Sequence, residues 1–203
     1  MGVRQRYRGR IAGVGSSSGV RVVVGWWDES PFGAFADAMV ETASGHRVLL
    51  APSEEVAELV ASTYTFDEVR LEPVAVVPRP SGGGWTVESP SLAVTVALGG
   101  RTALGRWLRL VPPGLAGSPA FATLADPVAR VALRGVRTRG VARAGRREYY
   151  GATDVRAVTA LAGTFDGADL GALRPVDPPC RFGFSSTPRR PSVTEVTTTI
   201  VTA

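Results

Sequence analysis

The stretch that decides the fold is Tyr7-Arg8-Gly9-Arg10-Ile11-Ala12-Gly13-Val14, then Gly15-Ser16-Ser17-Ser18-Gly19, then Val20-Arg21-Val22-Val23-Val24-Gly25-Trp26-Trp27. β-Branched and aromatic residues on both sides of a short Gly/Ser loop read as an antiparallel hairpin. The same punctuation recurs outward along the chain. Phe35 to Glu41 and His46 to Ala51 read as a second hairpin across Ala43-Ser44-Gly45. Val69 to Val77, Gly84 to Glu88, Leu92 to Leu98, Val131 to Ala142, Tyr149 to Gly163 and Arg181 to Ser185 carry further β signals. Asp166-Gly167 is a tight-turn signal. Nine of the 11 residues from Val193 to Ala203 are Val, Thr or Ile, so a closing strand is expected, and its edge would suit pairing with another chain.

Helical signals are few. Pro52-Ser53 starts one, Glu54 and Glu55 suit the positive end of its dipole, and Val56, Leu59, Val60 and Thr63 share a face. The expected span is Ser53–Tyr64. A second helix is expected from Thr102, with Leu104, Trp107, Leu108 and Val111 at helical spacing and Pro112-Pro113 as the stop. A third short piece would open at Ser118-Pro119. The fold class is therefore β-rich α+β with two or three short helices. A single domain over 1–203 is expected, with 78–84 (Gly82-Gly83-Gly84 behind two prolines) the only candidate linker.

Composition removes several chemistries. All 23 basic residues are Arg; there is no Lys, one Cys (Cys180) and one His (His46). Without Lys there is no Schiff-base enzyme, no P-loop with its motif lysine and no ordinary pyridoxal-phosphate enzyme. One His and one Cys exclude a zinc finger and a disulfide framework, so no metal and no cofactor is expected. No charged start runs into an apolar stretch, and no segment approaches a membrane span. The expectation is a cytoplasmic protein with no membrane partner.

The formal charge of +5 is unevenly spread. Residues 1–30 carry +3, residues 31–80 carry −5, residues 81–125 carry +2 and residues 126–150 carry +5. The last segment places Arg134, Arg137, Arg139, Arg143, Arg146 and Arg147 before Tyr149-Tyr150. Arg beside aromatics suits nucleic acid, but no helix-turn-helix, RNP or KH pattern accompanies it. An Arg-only cation set is also what GC-rich coding produces, so nucleic acid ranks third. Arg137 and Arg139, two apart on a strand, would form a bidentate clamp for a carboxylate or phosphate, with Tyr149 beside them.

Catalytic candidates are carboxylates. Asp37 and Glu41 fall on one side of a strand, and strand-borne acids facing into a barrel would have raised pKa values suited to acid–base work. Trp26, Trp27 and Phe35 would supply an aromatic wall for a ligand. Ser17 sits in G-x-S-x-G, but a strand follows it where a nucleophile elbow needs a helix, so a hairpin loop is expected. His46 reads as polar surface and Cys180 as a small buried apolar residue.

Ser30-Pro31-Phe32-Gly33-Ala34-Phe35, entering a strand and followed by a hairpin, a helix and a strand, resembles the front of the acetoacetate decarboxylase-like family over residues 25–75. The resemblance implies an antiparallel β-barrel or cone, closed or partly closed, around a ligand cavity. The family's catalytic Lys has no counterpart here, so its Schiff-base route is closed. The leading function is then small-molecule binding, with lysine-independent decarboxylase- or lyase-like chemistry on an acidic or carbonyl-bearing ligand as its enzymatic form. The alternative is an interaction or self-assembling module that meets an acidic partner, or a second copy, through its basic strand.

Overall fold

The structure is a computed structural model that describes residues 3–111, 139–141, 147–183 and 187–202. The chain runs β1 (Val3–Ser16), β2 (Arg21–Glu29), β3 (Phe35–Glu41), β4 (Arg47–Ala51), α1 (Glu54–Ala61), β5 (Glu68–Leu71) and β6 (Ala75–Pro78). It continues through β7 (Gly84–Glu88), β8 (Leu92–Arg101), α2 (Ala103–Leu108), β9 (Arg139–Val141), β10 (Arg147–Phe165), β11 (Ala168–Asp169), β12 (Leu173–Arg174) and β13 (Ser192–Thr202). All 13 strands join one sheet in the order β5-β4-β3-β2-β1-β13-β10-β8-β7-β6. The short strands β9 and β11 add to β10, and β12 adds to β1.

Every pairing is antiparallel except β4 with β5, where α1 supplies the crossover that parallel strands require. Asp166 and Gly167, both with positive φ (50° and 75°), make the two-residue turn between β10 and β11. That is the conformation an Asp-Gly hairpin loop adopts.

The sheet curls on itself without closing. The expected barrel is therefore an open half-barrel whose free edges are β5 and β6. Those two strands were expected as one, Val69 to Val77. The chain instead breaks at Glu72-Pro73-Val74 and sends the two pieces to opposite ends of the sheet. Pro73 has no N–H for a ladder. The Glu72 carboxylate leaves the strand to accept bonds from the Ser91 backbone N–H (3.1 Å) and the Ser91 hydroxyl (2.8 Å).

Period-2 alternation sorts the side chains into two layers. Even-numbered residues of β2 and β3, such as Val22, Val24, Ala36, Ala38 and Val40, fill the inside of the curl with Val87, Val94, Val96 and Leu161. Odd-numbered residues, such as Val23 and Met39, face outward. There they are covered by Val56 and Ala57 of α1 and by Val176, Cys180 and Phe182. Strands β3 and β4 are thus buried on both faces, which explains near-continuous apolar runs in place of alternation. The interior expected to hold a ligand is packed with core side chains.

Two further expectations change. The closing strand β13 is no edge: it pairs with β1 on one side and β10 on the other. Arg181 to Gly183 form no strand, because their polar groups are claimed elsewhere. The Arg181 backbone N–H donates to Glu41 at 2.7 Å, and the Phe182 carbonyl accepts from Thr65 N–H at 2.7 Å. The third helix expected at Ser118 lies outside the described residues.

Candidate functional site

Asp37 stands on the outward face of β3, opposite Gly25 of β2. A side chain at position 25 would collide with the Asp37 carboxylate and the Trp27 indole, so glycine there leaves the two room to meet. The Trp27 Nε1–H donates to Asp37 Oδ1 at 3.0 Å. Asp37 is 4% exposed. Burial raises its pKa from the ordinary carboxylate range to about 7, against the opposing pull of the Trp27 hydrogen bond.

A cleft of about 70 Å3 opens over this carboxyl, between the sheet's outer face and α1. Tyr7 and Ile11 of β1, Trp27 of β2, and Phe35 and Met39 of β3 line it from the sheet. Leu59 and Val60 of α1, followed by Thr63 and Tyr64, roof it, and Tyr150, Thr198 and Ile200 complete it from β10 and β13. Tyr7 meets Trp27 edge-to-face with ring centroids 6.1 Å apart, and Trp27 lies 6.3 Å from Phe35. The Tyr64 and Tyr150 hydroxyls approach to 2.9 Å, tying the end of the roof to β10. The Thr198 hydroxyl is buried without a hydrogen-bond partner.

The cleft therefore unites three candidates from the sequence, Asp37, Trp27 and Phe35. The expectation that the acids face into a barrel is corrected, since Asp37 and Glu41 share the outward layer. They do not act as a pair. Four residues apart on a strand, they are separated by about 13 Å. Glu41, fully buried, forms an ion pair with Arg21 (Nη2 at 3.0 Å) and accepts from Arg181 Nε at 2.9 Å. Its role is to clasp the 175–183 segment onto β2 and β3.

Trp26 faces the other way, into the curl. Its ring meets Trp85 edge-to-face at 5.4 Å and carries the Arg10 guanidinium at 4.8 Å. Tyr149 pairs with Thr199 on that same inner side, opposite to its neighbour Tyr150. Arg137 lies outside the described residues. Arg139 begins β9 and pairs with Tyr149, and its side chain lies outside what is described.

The inner face has larger hollows at its open end. One of about 510 Å3 is lined by Arg6, Arg8, Arg10, Asp28, Glu29 and Glu195. A neighbouring one of about 380 Å3 holds Trp26, Trp85 and Arg156. Their charges largely satisfy one another: Arg10 pairs with Asp28 at 3.1 Å, Arg8 with Glu29 at 3.8 Å, and Arg101 with Asp154 at 2.6 Å. Size favours these hollows, but unmet chemistry favours the smaller cleft.

The remaining singled-out residues have structural roles. Ser17 sits in the β1–β2 loop, accepting the Ala172 N–H on its hydroxyl at 2.9 Å. His46 is exposed, with Nε2 3.1 Å from Glu68 Oε2. Cys180 is buried, and burial, reinforced by the nearby Glu41 charge, pushes its thiol up to about 12, which leaves it unreactive. Among the described residues no group of three or more His, Cys, Asp or Glu side chains forms a metal centre, and no helix is long and apolar enough to cross a membrane.

Sequence reasoning missed Tyr7, Thr198 and Tyr150. Nothing local signals them, because the cleft depends on β1, β13 and β10 lying side by side, a pairing between residues far apart in the chain. No family profile, no curated protein and no solved structure matches the chain.

Proposed function

We propose that the protein binds a small molecule in the cleft between α1 and the outer face of the sheet, with Asp37 as the group that exchanges a hydrogen bond or proton with it. One observation carries this reading: a buried carboxyl, held by a single indole N–H, stands with a few hydroxyls in a cleft walled mainly by aromatic and aliphatic side chains. Such a combination of apolar walls with few convergent polar groups is what ligand sites present. A carboxyl titrating near neutrality is also matched to general acid–base work.

The enzymatic form is proton transfer on a carbonyl-bearing ligand, in the manner of lysine-independent decarboxylase- or lyase-like chemistry. The Ser30–Phe35 segment, which carries the likeness to the decarboxylase-like family, feeds directly into the strand bearing Asp37. Among the described residues no Arg lines the cleft, which argues against the acidic ligands first considered.

Ligand-observed NMR with a library of small carbonyl compounds, alcohols and amines tests the reading. Binders are expected, and both Asp37→Asn and the rim substitution Thr63→Trp should abolish their signals. Binders indifferent to both substitutions, or no binders at all, would overturn it.

A further inference from the structure

We infer that the cleft takes an organic ammonium ion, whose positive charge is the counter-ion that the fold withholds from Asp37. This rests on the reading of the cleft as a ligand site. The chain carries 23 arginines, and the structure deploys them against its other buried carboxylates. Glu41 has Arg21 and Arg181, and Asp154 has Arg101. Asp37, equally buried, has among the described residues only the Trp27 N–H. A buried charge without a partner is costly, and a cation brought in by a ligand removes that cost.

The walls select the kind of cation. Aromatic rings attract cations through their negative faces, and cages of such rings are used to hold alkylated ammonium groups. Calcium or magnesium would need six or more oxygens, which one carboxylate among Tyr, Trp and Phe rings does not offer. The orphan Thr198 hydroxyl gives an ammonium N–H a second acceptor within the same cleft. Ile11, Val60 and Met39 provide apolar surface for a short alkyl chain. About 70 Å3 suits a head group of a few heavy atoms, with a longer tail leaving past the rim.

The pH dependence follows from the groups that face Asp37. Those are Tyr7 from β1, Tyr64 from the end of α1 and Tyr150 from β10, and among the described residues no other ionisable side chain lines the cleft. An alkylammonium stays charged through about pH 8. Its affinity should therefore track the ionised fraction of Asp37, which rises with pH through about 7.

Propylammonium and its uncharged isostere propan-1-ol, titrated by NMR or calorimetry at pH 6 and pH 8, form the test. Propylammonium should bind about tenfold more tightly at pH 8, as the ionised fraction of a carboxyl with a pKa near 7 dictates. Propan-1-ol should bind more weakly and show no such gain. Asp37→Asn should abolish the difference between the two probes, and Thr198→Val should weaken propylammonium selectively. The wild-type comparison stands even where a variant fails to fold. Propan-1-ol binding at least as well as propylammonium would overturn the ammonium assignment while leaving the cleft a ligand site. Failure of both probes and of the wider library would remove both readings.

Discussion

Asp37 and Gly25 show how one position conditions another. The carboxyl can approach the Trp27 indole only because residue 25 has no side chain, and its burial there raises its pKa from the ordinary carboxylate range to about 7. The folded state thus keeps the proton that the unfolded chain gives up. Between pH 4 and 7 the unfolded state binds fewer protons, so stability falls as pH rises through that window. Above pH 7 the loss is complete, on the order of 4 kcal/mol. Asp37→Asn preserves the acceptor for Trp27 and removes the titration. Thermal or urea unfolding should find this variant more stable than the wild type at pH 8 and no more stable at pH 4. Unfolding curves that keep a constant offset across that range would show that Asp37 does not titrate there. At this scale the sequence pointed to the residue without its surroundings. An acid on a strand was visible, whereas its burial depended on α1 and β10, far along the chain.

Elements were legible where local chemistry and tertiary demand agree. Strand β3 and strand β7 occupy the residues their β-branched and aromatic composition indicates. Helix α1 begins where its signals place it, with Ser53 as N-cap accepting the Val56 N–H at 3.4 Å and Glu54 and Glu55 in the first turn. It ends at Ala61 instead of Tyr64, because the Ser62 and Tyr64 N–H groups close the last turn and hand the chain to the Thr65–Phe182 contact. α1 also roofs the cleft, so its cap has a reach beyond its own turn. Ser53→Ala should cost about 1 kcal/mol, read by urea unfolding. Hydrogen exchange should speed up across 54–61 more than in β3. Uniform acceleration throughout the chain would show that α1 opens only with the whole fold. Elements were misread where a tertiary partner overrides propensity, as Glu41 does for Arg181 and Ser91 does for Glu72.

At the scale of the whole molecule, the sheet stays open between β5 and β6, and side chains tie β5 and the residue after it to the turns that follow β7 and β10. Arg70 bridges Glu68 and Asp166, with its Nε–H on Glu68 Oε1 at 2.7 Å, and Glu72 reaches Ser91. Charges and the prolines Pro73 and Pro78 also guard these edges against pairing with another chain. A second long-range tie is the buried Arg21–Glu41 pair with Arg181. Glu41→Gln would strand Arg21, which is 5% exposed, and should lower stability by about 3–5 kcal/mol in urea unfolding. A loss under 1 kcal/mol would show that Arg21 finds water when its partner is removed. By itself the sequence determined the strand-rich class, the positions of most strands and of α1, and the chemistries that a chain without Lys cannot perform. Those properties follow from residue type and near-neighbour periodicity. Only the tertiary structure decided that the sheet stays open, that β13 lies at its centre, that core side chains fill much of the curl, and that Asp37 meets Trp27 under α1 with no arginine beside it among the described residues. Strand order, bulge positions and burial all depend on contacts between residues far apart in the chain, and short-range pattern carries no record of them.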